Sequence, residues 1–99
     1  MEFSDDPYVL ELLPEFVDTW LEDISTQLNV LIESNNSDEL YRMGHTLKGS
    51  CLQFGLDSIA SLGIELMGYA REKKWEQAKL LERKLLNEFD RIKKELSAK

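Results

Sequence analysis

The segment DELYRMGHTLKGSCLQF at residues 38–54 decides the fold. When it is projected onto a helix at about 100° per residue, its larger apolar side chains fall in one narrow arc, as expected of a helix with one face in a core. These residues are Leu40, Met43, Leu47, Cys51 and Phe54. Asn36 and Glu39 resemble a capping box at its start, and Gly55 is a typical residue just past a helix end. The segment therefore predicts an amphipathic helix.

Similar apolar periodicity extends from this helix toward both ends of the chain. On the N-terminal side, the cap-like pair Asp6-Pro7 predicts a short helix, and Pro14 predicts a restart or kink before a long helix. The apolar stripe of the long helix consists of Leu13, Phe16, Val17, Trp20, Ile24, Leu28 and Leu31. With two further amphipathic segments, the predicted helices cover residues 7–13, 14–33, 38–54, 57–72 and 75–96.

Short polar breaks separate these segments, and none of them shows the alternating pattern of a β-strand. A chain of 99 residues, 42 % of them hydrophobic, can bury one small core. Helices joined by short connections pack as antiparallel neighbours. We therefore predict an all-α fold, an antiparallel up-and-down four-helix bundle with a short extra N-terminal helix, in a single domain over residues 1–99.

The charge distribution argues against several kinds of partner. The formal net charge is −7, and residues 1–40 hold eleven acidic residues and no lysine or arginine. Such a chain repels nucleic-acid phosphates and acidic lipid surfaces, so neither is an expected partner. No apolar run approaches the roughly 18 residues of a membrane span, and the acidic start lacks the basic region of a secretion signal. We expect a cytoplasmic protein, in which the lone Cys51 is a small buried hydrophobe and no metal is bound.

His45 is the only histidine, and helical projection places it roughly 160° from the middle of the apolar arc, so it is expected to face outward. Lys48 follows at i+3 and Gly49 at i+4, within one turn of the imidazole, and Arg42 falls beside it. Taken singly, these have ordinary explanations as a solvated histidine, surface cations and a tolerated glycine. Together they surround the side chain best suited to accept a phosphoryl group near neutral pH, which indicates a site.

Gly49 and Lys48 suggest what this site accommodates. A glycine inside a helix costs about 1 kcal/mol relative to alanine, so an exposed one needs a reason. Removing the side chain one turn from His45 clears room for another macromolecule to bring a reactive group to the imidazole. The Lys48 ammonium would attract that group if it were a phosphoryl group and offset its charge.

The run HTLKGS at residues 45–50, followed by Phe54-Gly55 and, in the next helix, by Leu62-Gly63, resembles the signature of histidine-containing phosphotransfer domains. These domains are intermediates of multistep two-component phosphorelays. The resemblance covers nearly the whole chain, including the order of the helices and the histidine in the middle of the second bundle helix. Because the pattern has several residues at fixed spacing, it is specific.

The resemblance implies a role for each site residue. His45 would accept a phosphoryl group from the aspartyl phosphate of a receiver domain and pass it to the aspartate of another receiver. Lys48 would be its charge partner, and Gly49 the clearing for the receiver. Docking would be transient and would centre on Leu52 and neighbouring apolar groups, with Arg42, Lys48 and Arg71 facing the acidic pocket of the partner.

The resemblance also implies the partners and excludes a resident cofactor. The expected partners are response-regulator receiver domains and a hybrid sensor histidine kinase, and the chain is expected to be a monomeric phosphocarrier rather than an enzyme. The receiver would supply Mg²⁺ and the acidic pocket, so this chain is expected to bind no cofactor or metal.

One position departs from the family pattern. Some members carry a glutamine on the third helix that hydrogen-bonds the active histidine, and an ungapped count from His45 places Met67 there. The imidazole would then be oriented by water or a backbone group, and Arg71, one turn further, is a candidate for contacting the phosphoryl group.

Two other readings of the sequence stay open. The chain could be the N-terminal phosphoryl-accepting module of a chemotaxis-type histidine kinase, which would continue past Lys99. It could also be a helical adaptor in which His45 is incidental and never phosphorylated. The start at Met1 and the polar tail favour a free-standing domain.

Overall fold

The computed structural model describes residues 6–98, and this part of the chain is helical throughout apart from short connections. Its four bundle helices are α1, composed of the consecutive segments Pro7–Asp23, Ile24–Leu28 and Asn29–Glu33, then α2 at Ser37–Gln53, α3 at Asp57–Glu72 and α4 at Trp75–Ser97. The loops between them are two or three residues long, so successive helices run antiparallel. The predicted all-α four-helix bundle is confirmed. The acidic start at residues 1–5 and Lys99 lie outside the described residues.

All three loops reverse the chain with the same hydrogen-bonding motif. Each has one residue with a left-handed backbone, at Asn35 (φ 55°), Gly55 (φ 76°) and Lys73 (φ 57°). The next residue then donates its N–H to a carbonyl five positions back, as in the Schellman motif. These bonds are Asn36 to Leu31 at 3.0 Å, Leu56 to Cys51 at 2.8 Å and Lys74 to Tyr69 at 2.8 Å. The prediction that Gly55 ends the second bundle helix is confirmed.

Polar caps start α1 and α2. Asp6 Oδ1 accepts a hydrogen bond from the Tyr8 N–H at 2.9 Å, and a proline follows at the first helical position, as predicted. Asn36 Oδ1 accepts from the Glu39 N–H at 3.2 Å. The reciprocal half of the predicted capping box is absent from the described contacts, because the Glu39 carboxylate pairs with Arg42 at 2.9 Å instead.

Pro14 lies inside a continuous helix. The prediction of a separate short helix over residues 7–13 is wrong, since Pro7–Asp23 is one continuous helix with Pro14 inside it. Proline leaves the Leu10 carbonyl without its usual partner, at a cost of about 3 kcal/mol. Leu13 and Val17, on either side of it, are both fully buried, and this shared core keeps the two parts in line. Pro14 itself is exposed.

The apolar stripe continues after residue 24 through a turn whose geometry the sequence did not predict. The turn Ile24–Leu28 is a π-helix, which is wider than an α-helix and shifts the residues that face the core. Ile24 and Leu28 are buried as predicted, Leu31 is half-buried and packs against the core, and Ile32 beside it is buried as well. Spacings of four residues from Ile24 to Leu28 to Ile32 thus stay on the inner face.

The core is apolar and contains two aromatic pairs. Trp20 and Phe89 stack with their ring centroids 6.4 Å apart, and Phe16 and Phe54 stack at 4.0 Å. The exposed ion pairs Lys93–Asp18 at 2.9 Å and Lys79–Glu33 at 3.1 Å connect α4 to α1, each contributing at most about 1 kcal/mol. Among the described residues, no helix is long and apolar enough to cross a membrane.

Cys51 is fully buried in α2, as predicted, and burial raises the pKa of its thiol to about 12 from 9.0. The unfolded thiol ionises as the pH passes 9.0, but the folded one keeps its proton. Unfolding therefore releases a proton above that pH, so this residue lowers stability as the pH rises from about 9 toward about 12.

We expect the free energy of unfolding of the wild type to fall faster with alkaline pH than that of Cys51→Ala, by up to about 1.4 kcal/mol per pH unit. Urea denaturation of both proteins at a series of alkaline pH values measures the two slopes. The substitution leaves a cavity at every pH, so only the slopes are compared. Parallel pH profiles would contradict this assignment.

Candidate functional site

His45 lies in the middle of α2 on its exposed face, so the prediction that it faces outward is confirmed. The residues before and after it on the inner face, Leu40, Leu47 and Cys51, are buried in the core. Within residues 6–98, no side chain forms a hydrogen bond or ion pair with the imidazole. The imidazole is therefore exposed and not engaged by another described side chain.

A pair of glycines lets the backbones of α2 and α3 touch beside this histidine. A Cβ added to Gly44 would lie 2.9 Å from the Gly63 carbonyl oxygen and 3.1 Å from the Met67 backbone nitrogen. A Cβ added to Gly63 would lie 2.9 Å from the Lys48 backbone nitrogen. Since these neighbours are backbone atoms, no side chain larger than hydrogen fits without separating the helices.

The role of Gly44 was not predicted, although one signal for it exists. Gly44 follows Leu40 by four residues and precedes Leu47 by three, so it shares the buried face of α2. A glycine on a buried helix face indicates close backbone approach. Here the approach fixes the position of α2 against α3, and with it the position of His45.

Lys48 lies at the edge of the same contact. Its backbone is pressed against Gly63 and its side chain is half-buried. No carboxylate among the described residues lies within ion-pair distance of its ammonium group, so its charge is not neutralised locally. One turn from His45, this cation is available to an incoming anion.

Gly49 is exposed, and a Cβ added there would meet no atom within 4 Å. The space beside Gly49 is therefore open, as the predicted clearing requires. Gly68 on α3 is equally open. Two large apolar side chains stay exposed on these helices, Leu52 at 52 % and Ile64 at 55 %. Leu52 was predicted as a docking residue. Ile64 was not, because α3 carries apolar residues on several sides and an exposed isoleucine does not stand out among them.

The two arginines differ in their surroundings. Arg42 Nη1 pairs with Glu39 Oε1 at 2.9 Å, so part of its charge is offset. Arg71 Nη2 donates instead to the Tyr41 hydroxyl at 2.8 Å, with its guanidinium carbon 5.1 Å from the centre of the Tyr41 ring. The sequence placed both arginines near the site, but it did not indicate either partner.

Met67 packs on the inner side of this contact. Its Cγ would lie 3.0 Å from a Cβ on Gly44, the residue before His45. The ungapped count thus reached a position on α3 that packs against the residue preceding His45. A thioether there offers no strong hydrogen-bonding group, so Met67 contributes packing rather than orientation of the imidazole.

No group of three or more potential metal-ligating side chains occurs in the part of the chain that the structure describes. The site consists of an exposed imidazole, an unneutralised lysine, an arginine held by a tyrosine, and an open glycine. Such an arrangement can present a nucleophilic nitrogen and bind an anion beside it. It defines a helical bundle that carries a solvent-facing histidine on its second helix.

Comparison with known protein families agrees with this description. The family model of the Hpt domain matches residues 10–98, almost the whole chain. No curated protein and no solved structure matches the chain significantly. The chain belongs to the Hpt domain family, whose members are histidine phosphotransfer modules of phosphorelays, and the resemblance predicted from residues 45–50 is confirmed.

Proposed function

We propose that His45 accepts a phosphoryl group from the aspartyl phosphate of a receiver domain and relays it to the aspartate of another receiver. The observation that supports this most is the exposed imidazole one turn from open Gly49, in a chain that belongs to the Hpt domain family. A macromolecular donor needs such access, whereas a small donor does not.

The chemistry requires a nucleophile and a charge partner from this chain. A neutral imidazole nitrogen of His45 attacks phosphorus, the N–P bond forms, and the P–O bond to the receiver aspartate breaks, so the carboxylate leaves with the electron pair. Lys48 offsets charge on the transferred oxygens. The receiver provides Mg²⁺, and this chain acts as a phosphocarrier that completes no reaction alone.

Docking to the receiver uses apolar contact around a cationic centre. Leu52 and Ile64 supply exposed apolar surface, while Lys48, with no carboxylate partner among the described residues, complements the acidic pocket of a receiver. Arg42 contributes less charge because it already pairs with Glu39. A small contact of this kind favours transient exchange between several receivers and a hybrid sensor kinase in the cytoplasm.

The test is phosphoryl transfer from a radiolabelled receiver. The purified chain is mixed with each of a panel of phosphorylated receivers from the same genome, and the label on the chain is followed over time. A phosphoramidate bond to nitrogen gives a label that acid removes and base does not. If no receiver transfers label, the proposal is wrong, and a helical adaptor becomes the better reading.

The open space at Gly49 gives a graded prediction. Gly49→Gln is expected to slow transfer from the cognate receiver roughly tenfold or more, because a long side chain fills the space through which the partner reaches His45. The substitution leaves the bundle folded, since glutamine is a better helix former than glycine.

The matched control is Gly49→Ala, whose single methyl meets no atom within 4 Å. It is expected to transfer at a rate close to that of the wild type. Initial rates of all three proteins, measured with the same receiver, make the comparison. Equal rates for the glutamine variant and the wild type would argue against the clearing.

A further inference from the structure

Tyr41 on α2 holds the side chain of Arg71 on α3. Arg71 Nη2 donates a hydrogen bond to the Tyr41 hydroxyl at 2.8 Å. The guanidinium carbon also lies 5.1 Å from the ring centroid, within the range of a cation–π contact. An exposed arginine otherwise samples many rotamers, so these two contacts restrict where its charge lies.

Tyr41 is itself placed beside His45. The two residues are four apart on α2, so their side chains share one side of the helix, about 6 Å apart along its axis. Both line one shallow surface depression, together with Asp38 and Arg42. The Tyr41 ring is half-buried and packs against the core, which fixes its position. The Arg71 guanidinium is therefore anchored by a residue that lies one turn from His45.

The tyrosine holds this cation without neutralising it. A hydroxyl is a neutral acceptor, and among residues 6–98 no carboxylate lies within ion-pair distance of Arg71. A guanidinium has five N–H donors, and the Tyr41 bond uses one of them. Arg42, by contrast, is paired with Glu39. Of these two arginines, Arg71 is thus the better prepared to bind an anion.

We propose that Tyr41 is a positioning residue for phosphoryl transfer, holding Arg71 so that its remaining N–H donors bind the phosphoryl oxygens once the group is on His45. The inference rests on the proposed function. Tyr41 takes no part in the bond exchange. It affects phosphoryl transfer only by holding Arg71 in place.

The test measures the NMR signal of the Arg71 side chain. The ¹⁵N-labelled chain is phosphorylated with phosphoramidate or a phosphorylated receiver, and the Nε–Hε resonances of the arginines are recorded before and after. The Arg71 resonance, assigned by its loss in Arg71→Lys, is expected to shift on phosphorylation. In Tyr41→Phe, which keeps the ring and its packing, that shift is expected to shrink roughly twofold or more.

Tyr69→Phe is the matched control, because the Tyr69 hydroxyl lies 3.5 Å from Glu65 on its own helix. It is expected to leave the Arg71 shift unchanged. A full-sized shift in Tyr41→Phe would overturn the positioning role. The absence of any phosphoryl group on His45 in the wild type would instead overturn the proposed function, so the two failures are distinguishable.

Transfer kinetics give a second readout. We expect Tyr41→Phe to slow transfer roughly threefold, and Arg71→Gln to slow it more. Because Tyr41 acts through Arg71, the double variant should transfer at the rate of Arg71→Gln alone. Multiplied losses in the double variant would show that Tyr41 acts by another route and would contradict the proposal.

Discussion

Gly44→Ala is expected to destabilise the bundle by about 1–3 kcal/mol, lowering the melting temperature by roughly 5–15 °C. The added methyl would lie 2.9 Å from the Gly63 carbonyl oxygen, so the α2 and α3 backbones must move apart. Alanine is the better helix former by about 1 kcal/mol, but that gain is smaller than the cost of opening this backbone contact between the two helices. Thermal and urea denaturation measure the change.

The same helix provides a matched control for this experiment. Gly49→Ala is the same substitution at an open position, where the new methyl meets no atom within 4 Å. It is expected to stabilise the protein by about 0.5–1 kcal/mol through helix propensity alone. If Gly44→Ala were as stable as Gly49→Ala, the close approach of the two helices at Gly44 would be wrong.

His45→Gln is expected to abolish phosphoryl acceptance, with the initial rate falling at least about a thousandfold. Glutamine has a similar size and can hydrogen-bond, but its amide nitrogen is not a nucleophile. Since His45 is exposed and makes no hydrogen bond within the described residues, the helical circular dichroism and the melting temperature should stay close to those of the wild type. The label from a phosphorylated receiver is the measurement.

Lys48→Ala separates loss of the nucleophile from loss of charge. It keeps the imidazole and removes the cation one turn away, so acceptance of the phosphoryl group should be slowed rather than abolished.

A variant at position 45 that still acquired an acid-labile label would show that another nucleophile of this chain, or another mechanism, carries the phosphoryl group.

Periodicity was sufficient to predict most of the fold, because it records where apolar side chains recur. It placed α3 at its observed bounds and α2 and α4 within one residue. The prediction of a helix break at Pro14 was wrong. Proline disfavours a helix interior locally, but the burial of Leu13 and Val17 on either side of it keeps the helix continuous. Periodicity also missed the π-helical turn before Asn29, because spacings of four residues are compatible with either kind of helix.

The sequence predicted those features of the site that depend on which side of a single helix a residue faces. Projection of α2 was enough to place His45 and Gly49 on the exposed face. Gly44 was missed because a glycine adds nothing to a hydrophobic stripe, although its lack of a side chain is what lets α3 approach. The Tyr41–Arg71 bond joins residues 30 positions apart and depends on rotamers, which no local pattern encodes.

The most direct test of the account is to locate the phosphoryl group on the intact chain. After transfer from a phosphorylated receiver, tandem mass spectrometry under non-acidic conditions assigns the added phosphoryl mass to one residue. Lysine also forms an acid-labile phosphoramidate, so this assignment distinguishes His45 from Lys48, which chemical stability alone does not. We predict the whole of the added mass on His45; a phosphoryl group on Lys48 or on a carboxylate, with His45 unmodified, would contradict the proposed phosphoryl transfer.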